Sequence, residues 1–409
     1  MNEKKHNINR EDKTGAVKPG AAKPKRRGRK SQVALAITVL VVMGFGAVYR
    51  GYIAVPPSVA TQDPVITQPT DEPTTSPDGM NPMGPTPSPI TETPTPDGRK
   101  PECYTFLLVG MDYAGANTDT IMVGMLDARN HKMNIISIPR DTLADVPWAT
   151  KRINSVYASS SVYANGITNK AGETLTGIDA LKEAVSMLVG FPIDQYVAVD
   201  IKAFQALVDS VDGVYFDVPV NMYHVDEDPS LGINLQKGYQ LLNGHDALGV
   251  VRFRGYPMAD IQRIQVQQAF LKAAASQMLK IGNVTKVKEW AGIFEKYVDT
   301  KMNTGNLLWY GEQFLKLKDE DIVFNSMPVI LLDLIRDVSY VEVDVEAWLE
   351  MLNSTINPYI EDRTKDDLRI MLWSWSLRAG VDLNGNVLYY ENQFAKGTGT
   401  PSAATDAEE

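Results

Sequence analysis

The segment YTFLLVGMD (104–112) is followed at short intervals by DTIMVGMLDA (119–128) and KMNIISIPRD (132–141). Each is an apolar run of strand length, and near-continuous apolar runs predict strands buried on both faces. Asp127 to His131 reads as a turn, so the second and third strands should form a hairpin. Downstream the period changes. Ile178, Leu181, Val185 and Leu188 recur at helical spacing, and Gly190 stops that helix. QYVAVDI (195–201) reads as a strand, AFQALVDSV (203–211) as a helix and VYFDVPV (214–220) as a strand. Asn243-Gly244 opens a short helix leading to VRFR (251–254), and Asp260 is the expected N-cap of a helix reaching about Leu279. Strands alternating with helices predict an α/β layered domain, and the hairpin makes its central sheet mixed.

Both ends of the 409-residue chain differ from this middle. Residues 1–30 carry 11 Lys/Arg against 3 acids, a cytoplasmic head by the positive-inside rule, in a chain whose net charge is −10. Directly behind the head, VALAITVLVVMGFGAVY (33–49) contains no charge, and residues 31–52 are expected to be one transmembrane anchor. A basic head beside an apolar run speaks for membrane orientation and against nucleic acid. Residues 53–102 follow as an external Pro/Thr-rich linker, with 13 of the 24 prolines between 56 and 101. The folded domain is expected over 103–375, with a C-terminal tail (376–409) holding a small hairpin around Asn384-Gly385. The single cysteine, Cys103, excludes an internal disulfide framework and thiolate zinc clusters, and the four histidines show no metal-ligand spacing.

Charged residues concentrate at the ends of the predicted apolar elements. Arg140 ends the third strand, and Arg252 and Arg254 sit two apart, on one side of an extended segment if VRFR is a strand. Arg263 and Gln267 share a helix face, near an N-terminal end that favours anions. Arginine forks bind phosphate oxygens bidentately. Asp112 ends the first strand and Asp119 starts the second, so neighbouring strand ends can bring both carboxylates to one divalent metal. The set reads as a site for a pyrophosphate with a metal. Each part has an ordinary explanation, such as a solvated helix face or a turn cap. Their joint placement at strand ends is what points to a site.

The blocks LLVGMD (107–112), TDTIMV, IISIPRDT, RINSVYA (152–158), GFPIDQYVAVDIKAFQALVDSVDGV (190–214), INLQKGYQLLNGHDALGVVRFR (233–254) and D-x-x-R-x-x-x-QQ (260–268) resemble LytR-CpsA-Psr proteins. The resemblance runs in order over about 103–275. It implies an αβα fold, an apolar tunnel for a polyprenyl chain, and Mg²⁺ as cofactor, with Mn²⁺ as an alternative. It also implies transfer of a glycopolymer, such as a teichoic acid or capsule, from undecaprenyl pyrophosphate to peptidoglycan. The enzyme would be a single-pass protein of the cytoplasmic membrane of a Gram-positive-type bacterium, with its catalytic domain outside. By the same resemblance Asp112 and Asp119 are the metal acids, and Arg140, Arg252, Arg254, Arg263 and Gln267 bind pyrophosphate. Arg152 stands where relatives have Lys, and Val266 where many carry a further Arg. No histidine lies within the motifs, so a carboxylate is the expected general base, with Asp141 and Asp260 as candidates. Two other functions use similar features: a lipid pyrophosphatase or phosphatase with water as acceptor, and a wall-binding or regulatory protein without turnover.

Overall fold

The computed structural model describes residues 56–59 and 98–397, apart from 112–117, 163–165, 170, 227, 229–230, 257–258, 281–292 and 294–295. The head, the expected anchor, most of the linker and the last twelve residues lie outside the described residues. Among the described residues no helix is long and apolar enough to cross a membrane.

Strands β1 (Cys103–Met111), β2 (Thr118–Asp127) and β3 (Lys132–Ile138) form an antiparallel meander. The β2–β3 turn forms where the sequence predicts it. Asp127 accepts from the Asn130 backbone N–H at 2.8 Å, and His131 takes a left-handed φ of 52°. The chain continues through helices α1 (Val156–Val162) and α2 (Gly177–Val189), strand β4 (Gln195–Val199), and helices α3 (Ile201–Ser210), α4 (Gly244–Arg252) and α5 (Ala259–Lys280). Strand β5 (Val298–Asp299), helix α6 (Thr304–Phe314), strand β6 (Ile322–Ser326) and helix α7 (Val345–Thr355) follow. The central sheet has the order β5-β4-β1-β2-β3-β6, with β1–β4 and β3–β6 parallel and the other pairs antiparallel. It is the mixed sheet expected from the sequence.

The pleat sorts the side chains of β1 into two cores. Tyr104, Phe106 and Leu108 pack with Phe204 and Leu207 of α3, Phe270 of α5 and Phe314 of α6. Leu107 and Val109 face the other way, toward Leu181 and Val185 of α2 and Trp348 and Leu352 of α7. Helices therefore cover both faces, an αβα sandwich, and burial of both faces explains the unbroken apolar runs. Trp348 is fully enclosed and donates from Nε1 to the Leu188 carbonyl at 2.8 Å, joining α7 to α2. Gly124 permits close packing across the meander, since a Cβ there would meet the Phe106 ring at 2.5 Å. Gly190 ends α2 in the left-handed region at φ 75°.

Before β1, buried Arg99 pairs with Asp194, the residue preceding β4, and Asp194 also accepts from the Thr105 backbone N–H at 2.7 Å. At the other end, Ala379–Val381 and Val387–Tyr390 form the expected hairpin around Gly385, whose φ is 82°. Leu372–Ser374 adds a third strand. Phe394 and Trp373 of this unit pack with Leu143 and Tyr340, so the segment up to Phe394 is built onto the domain.

A candidate phosphate site at the carboxyl ends of the strands

Strands β1, β3, β4 and β6 run in one direction, and β2 starts at the end where they finish. Open α/β sheets bind ligands at that end. The β1–β2 register passes from Gly110↔Thr120 to Met111↔Thr118, leaving Asp119 as an extra residue in a β-bulge. Bulges re-aim a strand at such edges. Asp112 and the side chains of Asp119 and Asp260 lie outside the described residues. Helix α5 starts at Ala259, so Asp260 falls inside its first turn and is not the N-cap expected from the sequence.

Arg140 follows β3 by two residues, and its carbonyl accepts from the Asn154 backbone N–H at 3.2 Å. Thr118 at the start of β2 donates from its hydroxyl to the Asn154 carbonyl at 3.2 Å, which ties β2 to the same corner. Asp141 Oδ1 lies 3.6 Å from Arg140 Nε and 3.3 Å from Arg152 Nη1. Arg152 also donates from Nε and Nη2 to the Ser339 carbonyl, at 2.9 and 2.6 Å. Asp141 thus sits between two guanidiniums, each about one fifth exposed.

Arg263 and Gln267 of α5 are both buried, at 3% and 4% exposure, which excludes a solvated helix face. Gln267 Nε2 donates to the Val251 carbonyl at 3.0 Å. The next residue, Gln268, donates to Ser137 Oγ of β3 at 2.9 Å and to the Asn325 carbonyl of β6 at 2.7 Å. One helical turn therefore connects the strand that delivers Arg140 with the segment that delivers Arg252. Tyr256 donates to the Val250 carbonyl at 3.2 Å; burial raises its phenol pKa and the charge of Arg263 opposes the shift.

VRFR departs from the extended reading. Arg252 closes α4, where a period of 3.6 applies, and extended backbone begins only at Phe253. The two arginines consequently differ in burial. Arg252 is 7% exposed, whereas Arg254 is exposed. Arg252 donates from Nη1 to the Leu231 carbonyl at 2.9 Å and from Nη2 to Asp226 Oδ2 at 3.2 Å. Burial pulls its guanidinium below the ordinary arginine value, and the Asp226 contact favours the charged form.

Both arginines line a cavity of about 320 Å³, together with Tyr223, His224, Asp226, Ile233, Phe253 and Gly255. His224 Nε2 lies 4.0 Å from Asp226 Oδ2. Sequence reasoning missed Asp226, His224 and Gln268. The first two precede VRFR by more than twenty residues and meet it only because the chain folds back. The doubled glutamine at 267–268 was the available signal for Gln268.

Among the described residues no three His, Cys, Asp or Glu converge as a metal cage. The donor chemistry expected from Asp112 and Asp119 nevertheless suits Mg²⁺, which takes one or two carboxylates and keeps positions for water and phosphate oxygens.

The profile described as the LytR_cpsA_psr family matches residues 85–357, more than half of the chain. The chain belongs to the LytR_cpsA_psr family. It is similar to the regulatory protein MsrR of Staphylococcus aureus, at 29% identity over 55% of this chain. It is also similar to the cell wall biosynthesis protein LcpA of Corynebacterium glutamicum, at 30% identity over 62% of this chain. The matches span 64% of MsrR and 52% of LcpA. Among solved structures, TagV of B. subtilis superposes with a TM-score of 0.51 at 25% identity, covering 62% of this chain and 96% of TagV. The αβα sandwich with its mixed central sheet is the fold of this family.

Proposed function

We propose that this protein transfers a wall glycopolymer from an undecaprenyl-pyrophosphate carrier to peptidoglycan, forming a phosphodiester. Membership of the LytR_cpsA_psr family and likeness to LcpA, a cell wall biosynthesis protein, support a role in wall glycopolymer transfer. The observation that carries the reading is the bridge Ser137–Gln268–Gln267–Val251, which holds the Arg140/Arg152 corner and the Arg252 segment against one helix. Cations that follow β3 (Arg140), follow α4 (Arg254) and lie on α5 (Arg263) suit a diphosphate better than a single carboxylate, because its charge is spread over several oxygens.

In this reading the acceptor sugar hydroxyl attacks the phosphorus that carries the glycan. The bond from that phosphorus to the bridging oxygen breaks, and lipid monophosphate leaves with the bridging oxygen. Arg140, Arg152, Arg254 and Arg263 stabilise the charge that develops on the phosphate oxygens. Arg252, ion-paired to Asp226, anchors the cavity wall. The hydroxyl proton needs an acceptor, and His224 on that wall joins Asp141 and Asp260 as a candidate. Asp141 already faces two guanidiniums, which favours a positioning role for it. Asp112 and Asp119 would hold Mg²⁺ or Mn²⁺, which supplies charge neutralisation to the pyrophosphate when bound. The head would lie in the cytoplasm, residues 31–52 in the membrane and the folded domain outside.

The test is to incubate the full-length protein with a lipid-pyrophosphate-linked glycan, peptidoglycan oligomers and Mg²⁺. Glycan joined to peptidoglycan is the expected product. Free glycan phosphate without joined product would make the protein a lipid pyrophosphatase, and no product at all would leave a wall-binding protein.

A further inference from the structure

Between α3 and α4 the chain folds back as two successive two-stranded segments, a ribbon of which the transfer reading uses only His224. Val214–Val218 pairs with Gly238–Leu242, and Met222–His224 pairs with Ile233–Leu235. Its inner face, including Phe216, Val218, Met222, Leu235 and Leu242, is buried in the core shared with α3 and α5. Its outer face does not follow the usual rule that the solvent side of a ribbon is polar. Tyr239 is 74% exposed, Tyr223 72%, Tyr215 48% and Leu241 48%. The register places Tyr215 opposite Leu241, Tyr239 opposite Asp217, and Tyr223 opposite Asn234. Tyr215 and Tyr239 stack with ring centroids 5.6 Å apart and planes 14° from parallel. Tyr223, at the far end, is also a wall of the cavity holding Arg252 and Arg254. Pro219, Val220 and Asn221 interrupt the strand between Tyr215 and Tyr223, so the two tyrosines stand on successive segments of the ribbon.

We infer that this outer face is a ledge for an uncharged pyranose chain leading into the Arg252/Arg254 cavity. Contiguous exposed apolar surface marks interaction sites. Tyrosine offers an apolar ring with a polar tip. A pyranose presents the complementary surface, C–H groups on its faces and hydroxyls around its rim. Asp217 and Asn234 lie beside the rings, where hydroxyls need acceptors and donors. The same carboxylate disfavours a bilayer as occupant, because Asp217 would be desolvated against hydrocarbon. Continuity with the cavity through Tyr223 gives the chain a direction, toward the arginines. The inference deepens the transferase reading and rests on it only for taking the sugar chain to be wall glycan.

The test uses the full-length protein in nanodiscs and a β-1,4-linked N-acetylglucosamine hexamer, with no pyrophosphate donor present. Hydroxyl-radical oxidation of Tyr215 and Tyr239 is read against Tyr390, a 59% exposed tyrosine on the C-terminal sheet. The hexamer should slow oxidation of both at least threefold and leave Tyr390 unchanged. The double variant Tyr215→Ser/Tyr239→Ser should lose at least tenfold in hexamer affinity, while Tyr215→Phe/Tyr239→Phe stays within about threefold of the parent. Unchanged oxidation with hexamer overturns the proposal, as does parental affinity in the serine variant. Shielding of both tyrosines by the nanodisc alone would instead make the bilayer the occupant. Because no donor is present, loss of hexamer binding and loss of glycopolymer transfer are read separately.

Discussion

Gln267 donates its side-chain amide to the main-chain carbonyl of Val251 at 3.0 Å, one residue before Arg252. A glutamine that the family resemblance assigns to pyrophosphate therefore has an architectural contact as well, holding the end of α4 against α5. Gln267→Ala leaves that buried carbonyl unsatisfied, which costs about 1–3 kcal/mol. Both a lower Tm and reduced transfer are expected. A variant with parental Tm and parental transfer would remove the clamp from the account.

Arg263 is buried on the same helix face. Arg263→Lys keeps the charge but loses the bidentate fork. Affinity for a polyprenyl pyrophosphate should fall by about 1.5–3 kcal/mol, the range for a charge-assisted bond. The effect of Arg263→Ala should be larger and should not add simply to that of Gln267→Ala, since the two share one face. Titration of the single and double variants with the lipid pyrophosphate checks both statements.

Asp226 and Arg252 form an ion pair whose side chains are only 9% and 5% exposed. Removing one partner of such a pair weakens the compensation of the other charge, which Asp228 and the Leu231 carbonyl still share, so Asp226→Ala should destabilise the fold by up to about 3–5 kcal/mol. Replacing both, as Asp226→Ala/Arg252→Met, should cost clearly less than the two single losses combined. Denaturant unfolding of the three variants measures the coupling, and strict additivity would mean the contact carries no net interaction.

Asp119 occupies the bulge at the start of β2. Asp119→Ala should abolish Mg²⁺-dependent transfer and leave the melting temperature within a few degrees of the parent. The measurement is turnover across a Mg²⁺ titration, with a melting curve alongside. Parental turnover in excess chelator would refute a metal role.

Lys151 is 1% exposed, donates from Nζ to the Val146 carbonyl at 2.6 Å and lies over the Tyr389 ring. Burial lowers its pKa to about 8, with Asp145 opposing the shift. Between that value and the unfolded value of about 10.4 the unfolded chain binds more protons. Stability from this residue should therefore rise with pH across that window, by no more than about 3 kcal/mol. Below pH 8 the cost of burying the charged amine is present in full. The difference in unfolding free energy between the parent and Lys151→Met, followed from pH 7.5 to 10.5, isolates the contribution. A flat difference would show that the Tyr389 ring and the Val146 carbonyl compensate the burial.

Periodicity and spacing determined much of this protein. Apolar runs of strand length at 104–111 and 119–127 pointed to strands covered on both faces, because an exposed face would have required alternation. The turn at 128–131 and the helix stop at Gly190 were equally legible, since both depend on local backbone chemistry. So was the presence of arginines within short motifs, which is a matter of residue types alone. Spacing failed at VRFR, where packing of α4 against its neighbours extends the helix through Arg252, so that Arg252 is buried and Arg254 exposed although both line one cavity. It failed again for Asp226, His224 and Gln268, whose partners are remote in sequence. A motif records only neighbours along the chain. Which carboxylate neutralises Arg252, and which helix turn bridges β3 to α4, are decided by long-range contacts that exist only once the layers have closed.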